Sequence, residues 1–420
     1  MMRLKMLKNT LFSIIISVVL VLISCGNGTK NKKTEDGRPM TEDVSLKSIT
    51  VGANQTENYL KLLEHKQVGV VGNQSSVIFK DKKRKNDHGD YTHLVDSLLS
   101  LNINVKKVFS PEHGFRGTAD AGEKIKDGLD AKTGLPIISL YGDNKKPKPG
   151  QLKGLDVLIF DIQDVGVRFY TYISTLHYVM EACAEANIPL IILDRPNPNG
   201  HYVDGPILEK ENSSFVGMHP IPIAHGMTIG EYAKMINGEK WLKNGRQCTL
   251  TVVSMVNYTH QTSYSLPIKP SPNLPNDQSI ALYPSLCFFE GTNVSVGRGT
   301  DKQFQVFGSP DLDKSHFPFN FIPQPNEGAK TPPQQGKKCH GKDLTQVKVQ
   351  PGINLKYLID AYAHTTDKAK FFNSFFMKLA GTTKLQEQIQ NGLSEKEIKA
   401  TWSQELEDFK KIRNKYKLYP

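Results

Sequence analysis

Glu112, His113 and Arg116 stand together in "SPEHGFRG" (110–117), directly behind the apolar run Val105–Phe109. An acid, a base and a cation placed where the backbone leaves a strand suit proton transfer and anion binding. Pro111 pins the chain before them, and Gly114 and Gly117 let the loop close tightly around a ligand. A glutamate in a partly desolvated cleft holds its proton more firmly, which a general acid at neutral pH requires, so Glu112 is the candidate acid. His113 can orient it, donate to substrate or cap a turn. Arg116 offers a guanidinium fork to a carboxylate, or else a surface ion pair with Asp120 or Glu123.

Three more apolar runs end in the same way. Asn73 follows "VGVV", and "DIQDVGVRFYTY" brings Asp161, Asp164, Arg168, Tyr170 and Tyr172 behind "VLIF". "LIILDRPNPNG" brings Asp194, Arg195, Asn197 and Asn199. Ligands of open α/β sheets sit outside the carboxyl ends of the strands, so these four ends form a polar crown. Amides, carboxylates, guanidinium groups and tyrosine faces suit a sugar. His225, in the His-Gly turn of "HGMTIGEY", is a further crown candidate, while Thr228 and Glu231 have the spacing of a capping box. Glu181 shares a helical face with Ser174, His177 and Tyr178 and is either a second carboxylate or a solvent-facing helix residue. Glu290 and Arg298, in "FFEGTNVSVGRGT", are placed to close the cleft from the C-terminal side or to pair with each other.

Other chemistries lack their motifs. No GxGxxG follows the first strand and no Walker A occurs, so no nucleotide cofactor is expected. HExxH is absent and His113, His219 and His225 are not at ligand spacing, so no metal is expected. GxSxG is missing too. The four cysteines beyond Cys25 show no CxxC spacing, and Cys183 and Cys287 sit in apolar sequence that reads as core.

The elements that must position the crown are legible as βα alternation. Strand-like runs at 68–73, 104–110, 136–142, 156–164, 188–196 and 249–255 alternate with helical patterns such as 91–101 and 171–187. Continuous Val/Ile/Leu runs are those of strands covered on both faces, which predicts an α/β fold with a mostly parallel open sheet. A breaker-rich stretch, "LPIKPSPNLPN" (266–276), separates residues 48–266 from a smaller α+β part, 267–420. About 370 residues beyond the N-terminal segment exceed one core, so two domains are expected.

The N-terminus reads as an export signal. Arg3, Lys5 and Lys8 precede the apolar stretch 11–23, shorter than the about 20 residues a membrane span needs. "LISC" resembles a lipobox, so residues 1–24 are expected to be cleaved and Cys25 lipidated, anchoring the chain in the bacterial cell envelope. Residues 25–47 are a polar tether. The formal charge is +11, with scattered lysines and no nucleic-acid motif, so no nucleic-acid partner is expected.

Taken in order, "SPEHGFRG", "DIQDVGVRFYTY", "LDRPNPNG", "HGMTIGEYA", "SPNLPN" and "FEGTNVSVGRGT" resemble the bacterial exo-β-N-acetylmuramidase family typified by NamZ. The resemblance runs from about Val68 to the C-terminus and is most specific up to Thr300. It implies a Rossmann-like catalytic domain, a smaller C-terminal domain and an active-site cleft between them. It also implies release of N-acetylmuramic acid from the non-reducing end of peptidoglycan fragments, with Glu112 and Glu181 as the catalytic glutamates. Muramic acid carries a lactyl carboxylate, which gives Arg116, Arg168, Arg195 or Arg298 a purpose in a sugar site. The second carboxylate stays open among Glu181, Asp164 and Glu290. A muropeptide-binding lipoprotein without activity and a metal-dependent amidase are the competing functions.

Overall fold

Six apolar runs become parallel strands of one sheet. They are β1 (Val68–Gly72), β2 (Val105–Ser110), β4 (Pro136–Ser139), β5 (Val157–Asp161), β6 (Leu190–Leu193) and β7 (Leu250–Val253). A short antiparallel edge strand, β3 (Gly128–Leu129), pairs with β4. The computed structural model describes residues 48–80, 90–116 and 127–420; the leader, Cys25, the tether and Gly117 lie outside the described residues.

The sheet order is β3-β4-β2-β1-β5-β6-β7. Leaving out the edge strand, the parallel strands run third, second, first, fourth, fifth, sixth, which is the Rossmann order. β1 registers against β2 on one side, Val70 opposite Val108, and against β5 on the other, Val70 opposite Ile159. The chain therefore reverses direction across the sheet between β1 and β5, and the loops leaving their carboxyl ends diverge to open a crevice there.

Both faces of the sheet are covered, as its unbroken apolar strands require. Val71, Phe109, Leu158, Phe160 and Ile192 point into the larger core and Val70, Val108, Ile159 and Ile191 into the smaller one. Helices α1 (Thr56–Leu63) and α2 (Leu94–Ser100) pack in the smaller core; α3 (Tyr172–Ala186) and α4 (Ile229–Gly238) pack in the larger. The helical pattern at 91–101 is helical only from Leu94, because Tyr91–His93 pairs antiparallel with Val77–Phe79 as a ribbon. The capping box of α4 forms: Glu231 N donates to Thr228 Oγ1 at 3.2 Å, and Thr228 N donates to Glu231 Oε2 at 3.0 Å.

Beyond residue 276 come α5 (Asp277–Leu286) and a three-stranded antiparallel sheet of β8 (Val306–Ser309), β9 (Phe319–Phe321) and β10 (Cys339–Asp343). Four helices follow, ending with Glu395–Asn414. This smaller α+β part shares its core with the parallel sheet: Phe160 and Leu176 belong to the same apolar cluster as Phe307, Phe376 and Trp402. Ser48–Pro420 accordingly forms one compact unit.

Candidate active site

β2 ends at Ser110, and the next four residues turn sharply. His113 and Gly114 are both left-handed, at φ 72° and 80°, and Gly114 N donates to Pro111 O at 3.2 Å. A left-handed histidine is sparsely populated backbone, and His113 is buried there in the cavity lining. The turn sends the half-buried Glu112 side chain toward the start of α3. Thr171, the N-cap of α3, makes no capping bond to its own helix; its hydroxyl donates to Glu112 Oε2 at 2.8 Å. Tyr141, just beyond the end of β4, gives Glu112 a second hydroxyl partner. Burial and the Glu112 charge together push the Tyr141 phenol well above its ordinary range, so it stays a donor.

The facing wall comes from the C-terminal part. Glu290 sits in the 3₁₀ turn Cys287–Gly291, and Arg298 Nη1 donates to its Oε1 at 2.9 Å. Arg298 is presented by two left-handed glycines, Gly297 and Gly299 at φ 77° and 79°. A Cβ at Gly297 would fall 2.6 Å from Val306 and 2.8 Å from Lys302 O, so that position requires glycine. Glu112, Glu290 and Arg298 line one cavity of about 710 Å³. The electrostatics tie the walls together: Tyr283 feels both glutamates, and Tyr141 feels both Glu112 and Arg298. Phe169, Tyr170, Tyr283, Phe289 and Phe304 supply apolar wall. Tyr170 is fixed by donating to Pro270 O at 2.8 Å.

Of the candidates read from the sequence, the cavity gathers Glu112, His113, Tyr170, Glu290 and Arg298. Asn73 and Tyr172 stand behind it. Asn73 Nδ2 donates to the Tyr172 hydroxyl at 2.9 Å, and that hydroxyl lies 3.3 Å from Pro270 O and 3.5 Å from Glu112 O. The pair ties together the loops after β1, β2 and β5 and so fixes the backbone of the acid.

The remaining candidates are committed elsewhere. Arg116 turns away from the cavity to hold Asp130 bidentately, at 2.8 and 3.1 Å, and Asp96 at 3.3 Å. Arg168 is fully buried and spends its two Nη groups on the carbonyls of Pro206, Ile221, Leu379 and Ala380, at 2.7–3.1 Å. Burial lowers its pKa to about 9, and the last two carbonyls belong to the C-terminal end of a helix, where a cation is favoured. Arg195 pairs with Asp161 at 2.6 and 2.9 Å in the interior. Asp194 accepts from Thr228 Oγ1, Gly230 N and the Tyr419 hydroxyl, stapling the C-terminal tail to β6. Asn197 donates to Met227 O and accepts from Asn199 N. His225 is buried and neutral, its pKa lowered to about 3 by burial. Asp164 is buried outside the cavity, accepting from Gly166 N at 2.7 Å, and burial raises its pKa to about 7. Glu181 lies further along α3, taking Lys146 Nζ at 2.7 Å and Lys243 N at 2.9 Å.

The sequence reading passed over Thr171, Tyr141 and Lys145. Tyr141 and Lys145 follow the strand run "PIISLYG", so the strand-end rule applied to that run would have found them. Thr171 was hidden in plain sight beside Tyr170 and Tyr172. Away from the cavity, His316, Asp360 and His364 cluster, their imidazoles stacked at 3.5 Å with 7° between planes. Lys342 and His316 both pair with the Asp360 carboxylate, and parallel rings so spaced do not aim their nitrogens at one ion, so the cluster reads as an ion-pair network.

Two profiles of the exo-β-N-acetylmuramidase NamZ family match the chain, the N-terminal one over residues 68–278 and the C-terminal one over 281–419. The chain is 39% identical over 384 residues to the peptidoglycan β-N-acetylmuramidase NamZ of Bacillus subtilis (strain 168), covering 86% of this chain and 89% of that protein. Two crystal structures of DUF1343 family proteins from Bacteroides fragilis NCTC 9343 resemble it. One has TM-score 0.79 at 48% identity, covering 89% of this chain and 99% of that one. The other has TM-score 0.74 at 29% identity, covering 89% and 100%.

Proposed function

Since the chain belongs to the exo-β-N-acetylmuramidase NamZ family, we propose that the cavity between Glu112 and Glu290 is where it acts. The protein is a glycoside hydrolase that releases N-acetylmuramic acid from the non-reducing end of peptidoglycan fragments. The observation that carries the site is the meeting of two carboxylates from the two parts of the fold in one aromatic-walled cavity.

Glycoside hydrolysis by paired carboxyl groups needs one to protonate the leaving oxygen and one to assist water or the oxocarbenium-like centre. Their surroundings divide the two roles. Glu112 is held by hydroxyls, from Thr171 and Tyr141, which serve a carboxylic acid as readily as a carboxylate. Glu290 is braced by a guanidinium, which suits the group that must be anionic. Glu112 therefore gives its proton to the glycosidic oxygen as the bond to C1 breaks. Glu290 orients the incoming water and takes its proton, or acts on C1 directly, and Arg298 keeps it in place. Phe169, Tyr170 and Tyr283 face the apolar sides of the ring.

The deciding experiment incubates purified protein with a muramyl–glucosamine disaccharide and measures free N-acetylmuramic acid. Release that survives a chelator and is lost in Glu112→Gln supports this reading. Binding without release, or release abolished by the chelator, overturns it. Export and lipidation at Cys25 belong to the same proposal, supported by the basic, apolar, "LISC" order of the first 25 residues. Lipid attachment would place the enzyme on the envelope, where shed wall fragments are recycled. Cys25→Ser is expected to move the protein from the membrane fraction to the soluble one.

A further inference from the structure

Two neighbouring lysines in "NKKPKP" go opposite ways. Lys146 Nζ is taken by Glu181 and Glu185, each at 2.7 Å. Lys145 turns to the cavity, where it stands 4.7 Å from the centre of the Phe215 ring. Phe215 is itself stacked on Tyr178, with 16° between planes, and lies beside Tyr141. Lys145 makes no ion pair among the described residues, whereas the other basic side chain of the wall, Arg298, is already paired with Glu290.

The charge around the cavity makes this arrangement informative. Glu112, Glu290 and Asp143 line it against Arg298 and Lys145. A muramyl end differs from a glucosaminyl end by its lactyl carboxylate, so the favoured substrate is the one that glutamates repel. Like charges brought together cost several kcal/mol unless a cation meets the newcomer. A ring-supported ammonium is a compact point charge on a flexible stem, suited to an anion on a rotatable ether. Its loop also carries Tyr141, one of the hydroxyl partners of Glu112.

We propose that Lys145 binds the lactyl carboxylate and thereby selects muramyl over glucosaminyl ends. This rests on the reading of the cavity as a muramyl site. The test compares a p-nitrophenyl β-N-acetylmuraminide with its lactyl methyl ester, taking the ratio of kcat/KM for acid over ester. In Lys145→Ala the ratio is expected to fall about tenfold, the size of one charge-assisted contact, and Lys145→Arg is expected to restore part of it. A ratio unchanged in Lys145→Ala, with the melting temperature intact, overturns the assignment. Calorimetric titration with free N-acetylmuramic acid and with N-acetylglucosamine keeps the two ideas separable. Wild-type protein that hydrolyses neither glycoside refutes the functional reading. Lys145 is then judged on whether Lys145→Ala erases the preference of binding for the muramyl sugar: loss supports its role, and an unchanged preference refutes it.

Discussion

Replacing Glu112 by glutamine removes a proton and little else. The amide is isosteric, and its oxygen can still accept from Thr171 Oγ1, which lies 2.8 Å from Glu112 Oε2. The loop is fixed independently, through Gly114 N to Pro111 O and the Tyr172 hydroxyl, so the backbone has no reason to move. What remains is the loss of general-acid assistance, worth about 10²–10⁴ in rate, or roughly 3–5 kcal/mol of barrier. That full loss is expected in kcat on a muramyl–glucosamine disaccharide, whose alkoxide leaves poorly without a proton. KM should barely change. On an aryl muraminide the leaving group needs little protonation, and the loss should shrink to below about tenfold. Thr171→Val gives the scale for orientation alone, about fivefold from one net hydrogen bond. In the Glu112→Gln background it should add almost nothing, because its hydroxyl acts only through that side chain. Stopped assays on the two substrates, with circular dichroism on each variant, decide the matter. Wild-type turnover of the disaccharide by Glu112→Gln refutes the assignment. Equal losses on both substrates refute the acid role specifically.

The facing wall makes its own demands. Glu290→Gln should lower kcat by more than about 10² on both substrates, since no leaving group replaces its work. Arg298→Met should cost about tenfold alone and nothing further in the Glu290→Gln background; full additivity would show that Arg298 acts elsewhere. Arg168→Met should destabilise the protein by at least about 3 kcal/mol in urea, because it takes the guanidinium donors away from four buried carbonyls, of which Ile221 O keeps the Leu208 N–H, while leaving KM of the folded enzyme unchanged. A raised KM would return Arg168 to the substrate. Asp164 carries a pH signature: burial raises its pKa to about 7 from an unfolded value near 4. The folded state then binds the extra proton, so this contribution is present below about pH 4 and is lost as pH rises to about 7. Stability of Asp164→Asn relative to wild type should therefore improve from pH 4 to pH 8, by on the order of 4 kcal/mol. A pH-independent difference would refute it.

The sheet was legible because a strand buried on both faces needs an unbroken apolar run, and such runs stand out in sequence. All six parallel strands lie within the runs read for them. Half-buried ribbons give no such signal, which is why Tyr91–His93 passed for the first turn of a helix. The site was legible only in part, and the arginines show why. Arg116, Arg168 and Arg195 each follow a strand and each has the chemistry to read a carboxylate. What decides their work is whether the fold has already supplied acceptors, and those acceptors are remote in sequence. Two of the carbonyls on Arg168 come from Leu379 and Ala380, over two hundred residues away. Residue type at a strand end thus marks where a polar group must be satisfied, not by what. Glu112 and Glu290 differ from the buried arginines in that their partners leave them in the cavity wall: the Thr171 and Tyr141 hydroxyls are beside one, and the Arg298 guanidinium and Cys287 thiol are beside the other. Lys145 is the sharpest case, because its indistinguishable neighbour Lys146 absorbs the helix glutamates and leaves Lys145 to the cavity. The helix glutamates hold Lys146 alone, and Lys145 reaches the cavity wall without them. Moving the acceptors, by Glu181→Gln with Glu185→Gln, should shift Lys146 without touching the acid/ester ratio that Lys145 sets.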